Sequence, residues 1–290
     1  MGKSMTDVIA LSLLNAAVWA CVIAMVSLGL TLIYGQLSII NIAHGAMYAI
    51  GAVSTFYVTT LFGSWAYSLV AVPLIMAIIA IVIYLTTLRF RIIGYPMATT
   101  LIISYGLMFI LEQALLLIFG GAPRNIPNPL PFQVPLFGKT TYSGYRIFAA
   151  VFSLAAIGTL VAFLKKTKLG LWIRATSQDH DTASAMGISV PSVYMFTFVL
   201  GSVLAALGGV LVAPMTSITP NMGHDILIDA FIVVIVGGFG SIPGTILAAL
   251  ILSLSNGLLS VFFDPVLAKG MSLGIMVGIL YWRPEGILRY

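Results

Sequence analysis

The chain has 290 residues, of which 60% are apolar and 7% charged, with a formal net charge of +5 and a mean hydropathy of +1.12. A soluble domain carries roughly 25% charged residues, so this composition cannot clothe a water-facing surface. The Lys and Arg fall between apolar runs, without a basic face or aromatic–basic interleaving, which excludes a nucleic-acid footprint.

In hydrocarbon every backbone N–H and C=O must be paired inside the protein, so only helices or closed barrels span. Barrel strands alternate apolar and polar residues over about ten positions; here the runs are continuous, so they read as helices. They lie at about 8–33, 37–61, 66–88, 96–119, 146–164, 192–213, 226–262 and 266–282. The fold class is therefore an all-α polytopic membrane protein of about 8–10 transmembrane or half-spanning helices.

The first run follows Lys3 and continues through Ile33, beyond a signal-peptide core of about 7–15 residues, and reads as a retained span. Met1–Thr6 fits the loose myristoylation pattern, and Cys21 after Val18-Trp19-Ala20 faintly resembles a lipoprotein site. A spanning chain gains little from either anchor. As the only cysteine, Cys21 excludes an internal disulfide. The second run has polar residues at its start: Gln36, Asn41, His44 and Gly45. Asn41 and His44 there offer uncharged contacts to a passing solute, or interhelical hydrogen bonds, the reading favoured for His44.

Glu112 is the one acid well inside an apolar run, whereas Asp225 and Asp229 read as bordering an outer loop and Lys269 as lying in one. Ion-coupled carriers keep ionisable groups at membrane depth, so this scarcity points to an outside energy source. The loop 120–146, with Pro123, Pro127, Pro129, Pro131 and Pro135, reads as an extended connector. Its Gly138-Lys139-Thr140 is no P-loop, because the required Gly five residues earlier is Gln133. Any ATP is bound by another subunit.

Segment 165–191 reads as a loop carrying a short helix over about 178–186, N-capped by Ser177, with Asp179 and Asp181 in its first turn and Gly187 after its end. Ala183 and Met186 share one side of it, a small ridge suited to a groove on a partner. The seventh run is too long for one span, and Gly237-Gly238-Phe239-Gly240-Ser241-Ile242-Pro243-Gly244 breaks it. Of the 13 Lys and Arg, eight fall in 89–95 (Arg89, Arg91), 165–191 and the C-terminus (Arg283, Arg289). By the positive-inside rule that group is cytoplasmic. The C-terminus is then inside, provided that 226–262 crosses twice or doubles back near Gly240; the side of the N-terminus stays open.

Gly29-Leu30-Thr31-Leu32-Ile33-Tyr34-Gly35 with Asn41-Ile42-Ala43-His44-Gly45 resembles the permeases of branched-chain amino-acid ABC importers (LivH-type). Leu169-Gly170, Arg174-Ala175, Asp179, Ala183 and Met186-Gly187-Ile188 resemble that family's ATPase-coupling stretch. Gly237-Gly238-x-Gly240-Ser241-x-x-Gly244 resembles its glycine signature, and Arg283-Pro284-x-Gly286 its C-terminal end. The resemblance runs from about residue 8 to 288. It implies one permease domain over 1–290, like the type II importer permeases, in a bacterial inner membrane. It also implies a second permease, identical or different, two cytoplasmic ATPases holding ATP and Mg, and an external solute-binding protein. No metal or cofactor is expected in this chain, and no catalysis. Asn41, His44, Gly45, Gly51, Gly237, Gly238, Gly240, Ser241 and Gly244 are the expected pathway and broken-helix positions. The alternatives are a permease for urea or short amides, a stand-alone carrier using Glu112 and His44, and an intramembrane enzyme pairing Ser104 with His44.

Overall fold

The computed structural model describes residues 5–87, 97–135 and 141–288. Lys3, Arg89, Arg91, Gly138-Lys139-Thr140, Arg289 and the first four residues of the myristoylation pattern lie outside them. The helices are α1 (Met5–Leu37), α2 (His44–Phe62), α3 (Ser68–Thr86), α4 (Met97–Phe119), α5 (Gly144–Lys166), α6 (Lys168–Gln178), α7 (His180–Ala185), α8 (Val190–Val212), α9 (Met222–Gly237), α10 (Ile242–Leu259) and α11 (Pro265–Trp282). Eight helical segments of the described residues are long and apolar enough to cross a membrane. At 16 residues, α9 is shorter than these.

α1 is the central post. Its 33 residues rise about 50 Å, and from Val22 to Ile33 every residue is buried. It is packed by α5, α8, α9 and α10, while α2 and α3 also lean on α8. The packing is set by small residues: a Cβ on Gly201 of α8 would lie 2.6 Å from the Gly29 carbonyl oxygen of α1. Lipid tails supply no hydrophobic drive between helices, so close backbone contact is what holds such a pair. α4 and α11 are peripheral and keep long apolar side chains such as Leu117 and Val277 outward, the face expected toward lipid.

Contacts sort the helix ends onto two faces. On one face the end of α1 meets α6, the hydroxyl of Tyr84 at the end of α3 donates to Pro191 O at 3.1 Å, and the C-terminal Ile287 N–H donates to Val236 O at 2.8 Å. On the opposite face Asn15 of α1 accepts from the Tyr142 hydroxyl at 2.9 Å and from the Arg146 guanidinium. There too Trp65 Nε1 donates to Val210 O at 3.2 Å. The early part of α1 thus lies opposite both α6–α7 and the C-terminal segment, which settles the relative side that charge counting left open.

The Pro-rich connector ends in a small hairpin. β1 (Gln133–Pro135) pairs antiparallel with β2 (Thr141–Ser143), with Val134 opposite Tyr142. Arg124 holds the connector's start by stacking over Phe119 at 4.8 Å and Phe56 at 5.2 Å, a cation–π arrangement, and its backbone bridges to Ile218.

Candidate translocation cavity and coupling segment

The last turns of α1 and α5, the middle of α6 and the start of α10 enclose an open cavity of about 680 Å³. Leu32, Val161 and Ile246 give it apolar walls, and Tyr34 stacks on Phe239 at 4.2 Å beside it. Its polar groups are few. Gln36 is 7% exposed; its Nε2 donates to Ile173 O of α6 at 2.6 Å, and its Oε1 is buried without a protein partner. Arg174, next to Ile173, donates to Leu164 O, and Lys165 also lines the space. One side chain thus fastens the end of α1 to α6, with its Oε1 enclosed.

The expected pathway residues divide. Gly240 lines this cavity; Asn41, His44, Gly45 and Gly51 do not. His44 sits at the first position of α2, and its Nε2 lies 3.0 Å from Val26 O, eleven residues before the end of α1. Residues 38–43 therefore run back along α1 by about 16 Å of helix rise, outside both helices. Ser104 steadies that stretch, donating to Ile40 O at 3.1 Å and accepting from Ile42 N at 3.3 Å. These bonds give Ser104 and His44 separate partners, so no nucleophile–base pair forms. Asn41 is fully buried, and both polar atoms of its side chain lack a protein partner. Gly45 and Gly51 are packing positions: a Cβ on Gly45 would lie 2.9 Å from Leu227 Cβ, and one on Gly51 2.6 Å from Ala206 Cα.

The glycine signature makes the reversal between α9 and α10. Gly238 adopts φ 100° and Gly240 φ 80°, a region that L side chains avoid. Ser241 caps α10 by accepting from Gly244 N at 3.2 Å. A Cβ on Gly237 would fall 2.6 Å from Gly244 C, and Gly286 of the C-terminal segment is seated against Gly238. The long seventh run is thus two helices doubled back, as the charge count required.

The 165–191 segment differs from its sequence reading. Ser177 is not an N-cap: it lies inside α6, where its hydroxyl donates to Arg174 O at 2.8 Å. Thr167 caps α6 from Gly170 N at 3.0 Å, and a Cβ on Gly170 would meet Leu164 Cα at 2.6 Å, so α6 starts flush against α5. The chain breaks at Asp179, whose carboxylate accepts from Asp181 N at 3.0 Å and Thr182 N at 3.1 Å; an acceptor with two free N–H partners wins the cap. These hydrogen bonds, the Thr182 hydroxyl first, hold the Asp179 carboxyl below its ordinary range. A depressed carboxylate stabilises above its unfolded value and loses this as pH falls through the folded one. The protection of the Asp181 and Thr182 amides, measured against free peptide at the same pH, is therefore expected to hold across the neutral range and to be lost only in acid below the ordinary carboxylate range. Gly187 does end α7: at φ 85° it donates to Ser184 O at 2.9 Å, while Ile188 N donates to Ala183 O at 3.1 Å, a Schellman closure. Ala183 is buried, Ala175 half-buried, and Met186 projects with 81% exposure.

Glu112 is paired with a histidine that the sequence did not single out. Nε2 of His224, near the start of α9, lies 2.8 Å from both carboxylate oxygens. Asp229 is not at a loop border but midway along α9, and Lys269 is within α11; the two approach to 3.4 Å. Both residues fall within the apolar runs at 226–262 and 266–282 but close to their starts, so they read as loop residues, whereas α9 begins at Met222 and α11 at Pro265. Glu112→Gln is expected to leave any transport running and to lower stability by about 1.5–3 kcal/mol, the range for a charged hydrogen bond, read as the shift in thermal unfolding. Abolished transport at unchanged stability would instead make Glu112 a relay.

The family model described as branched-chain amino acid transport system / permease component matches residues 12–280. The chain belongs to that family. This permease is 28% identical to the permease protein BraD of Pseudomonas aeruginosa over 95% of its own length and 94% of the relative's. It is 27% identical to LivH of Escherichia coli (strain K12), with 91% and 90% covered, and 25% identical to LivM of the same strain, with 90% and 66% covered. All three are called permease proteins of high-affinity branched-chain amino acid transport systems. This permease is thus a multi-pass, non-catalytic transport component.

Proposed function

We propose that this chain, as one permease domain over 1–290, carries branched-chain or other hydrophobic amino acids across a bacterial inner membrane by alternating access. Two cytoplasmic ATPases holding ATP and Mg supply the energy, and an external solute-binding protein delivers the solute to the face bearing the 120–143 connector. A second permease, identical or of the LivM kind, completes the pore. The observation that carries the reading is the bond from Gln36 Nε2 to Ile173 O at 2.6 Å. It joins the cavity to α6, so a push on α6–α7 by an ATPase moves the cavity wall directly. The charges of Lys165, Lys166, Lys168 and Arg174 support a cytoplasmic placement of that segment, and with it of the C-terminal segment on the same face.

Glu112 of α4 and Asp229 of α9 are each paired with a basic side chain, which disfavours a stand-alone carrier built on them. The test is to purify the chain in mild detergent with its natural partners and assay ATP hydrolysis. Co-purifying ATPase, stimulated by a binding protein loaded with leucine and not by the empty one, is the expected result. Stimulation by a urea- or amide-loaded protein alone would redirect the solute. A chain that purifies alone and moves solute in liposomes without ATP would overturn the importer.

A further inference from the structure

We infer that the groove between α6 and α8 is a binding site for an anionic phospholipid, with Lys166 and Lys168 on the headgroup phosphate and one acyl chain laid along α8. The inference needs only that the chain spans a membrane, and it holds whatever solute is carried.

α6 lies across the ends of spanning helices. Its Arg174 donates to Leu164 O of α5, and Gln36 of α1 donates to its Ile173 O. On its other side Leu169 and Trp172 face Ser192 and Phe196 of the first turns of α8 across a groove of about 60 Å³. α6 therefore sits at the depth where these helices leave the hydrocarbon. Its outer face is apolar and basic together. Leu169, Leu171 and Trp172 are exposed, and Lys168, three and four residues before Leu171 and Trp172, stands on the same side. Bulk water would leave the apolar side chains unmet. The headgroup zone suits both kinds, because Trp partitions there and Lys extends its ammonium from it to phosphate.

The charge at the groove has one sign. Lys166 follows by three residues Phe163, whose ring centroid lies 5.8 Å from that of Phe196, so it stands on the groove side of α5. Lys166 and Lys168 are exposed, and neither forms an ion pair among the described residues. At the polar end of the groove the Ser189 and Ser192 hydroxyls lie 2.9 Å apart, which leaves one hydroxyl hydrogen for a phosphate oxygen.

The groove opens onto a track of fitting length. Between Thr197 and Val212 every residue of α8 is buried except Val199, Leu200, Val203 and Leu207, which with Phe196 form one helical stripe. From Phe196 to Leu207 this stripe rises about 16 Å, the depth of one leaflet of a core about 30 Å thick. A free phosphate would meet the lysines and leave the stripe bare. A zwitterionic lipid would cover the stripe and bring its own cation to the lysines. An anionic lipid uses both features, and each lysine should favour it about fivefold.

The experiment places the full chain, with the subunits that co-purify with it, in phosphatidylcholine nanodiscs. These contain a trace of phosphatidylglycerol whose acyl chain carries a diazirine, and the cross-links formed on illumination are mapped by mass spectrometry. The expected label falls within 189–207, and unlabelled phosphatidylglycerol reduces it at least tenfold more than the same amount of added phosphatidylcholine. In the double variant Lys166→Gln, Lys168→Gln, changed at two exposed positions, that preference collapses toward one at an unchanged thermal midpoint, and Lys→Arg at both positions retains it. Equal competition by the two lipids would reduce the groove to ordinary lipid contact and overturn the site, as would a preference that survives the loss of both lysines. Competition by free glycerol phosphate would make it a site for a soluble anion and overturn the lipid. Label that appears only after the co-purifying subunits are stripped away would assign the groove to them. None of these readings depends on whether leucine or another solute is transported.

Discussion

Gly51→Val is expected to leave almost no folded protein, whereas the same exchange at Gly158 is expected to be tolerated. A Cβ at residue 51 would lie 2.6 Å from Ala206 Cα and 2.8 Å from its carbonyl carbon. Both are backbone atoms, so no rotamer change relieves the contact, and α2 must move off α8. Overpacking costs about 1–3 kcal/mol, and more where backbone must shift, against a total stability of about 5–15 kcal/mol. At Gly158, as at Gly106, nothing lies within 4 Å of the added atom. Gly158→Ala should be neutral or stabilising by up to about 1 kcal/mol, from helix propensity alone. Yield of monodisperse protein in detergent and its thermal midpoint measure both. Equal tolerance at residues 51 and 158 would show that α2 and α8 do not pack on this contact.

Much of this architecture is legible in the chain because lipid imposes a length and forbids polar backbone. The apolar run at 192–213 is α8 at Val190–Val212, and that at 266–282 is α11 at Pro265–Trp282. The break near Gly240 is legible as well, since several glycines and a Ser-x-Pro cap signal fall together inside one long run. Where the chain unwinds without glycine the signal fades. The run at 37–61 begins seven residues before α2, because Leu37 ends α1 and Ile39, Ile40 and Ile42 are as apolar in an unwound stretch as in a helix.

The site is less legible than the fold. In the sequence Gln36 is one of the polar residues at the start of the second run and Lys165 one cation of the 165–191 segment, and only the packing of α1 against α5 and α6 puts them on one cavity. The pairs Glu112–His224 and Asp229–Lys269 are hidden for the same reason: each joins residues from distant helices, and nothing local marks them. Asn41 and His44 stood out because polar residues are rare here. Rarity identified them as constrained, and the structure gives His44 a packing constraint, a bond to the Val26 carbonyl.

Met186→Glu is expected to cut ATP-driven uptake at least tenfold while leaving insertion and folding unchanged. Ala183 is buried, and Gly187 holds φ 85° to close α7. A bulky charged residue at either position would disrupt α7 itself and confound docking with folding. Met186 is next to both and 81% exposed, so it can be changed without touching the helix's own bonds. A flexible, polarizable side chain projecting from a short, capped helix suits an apolar groove. Placing a carboxylate there would bury an unpaired charge on docking, at a cost of about 2 kcal/mol or more for a central contact. Since about 1.4 kcal/mol is tenfold, coupling should fall by at least that factor, and Met186→Leu should retain it. The measurement is ATPase activity of the reconstituted complex with and without loaded binding protein, beside the thermal midpoint of the chain. Wild-type stimulation in the Glu variant would remove α7 from the ATPase interface. Lost stimulation with a lowered midpoint in the Leu variant would mean that Met186 supports the fold and not the contact.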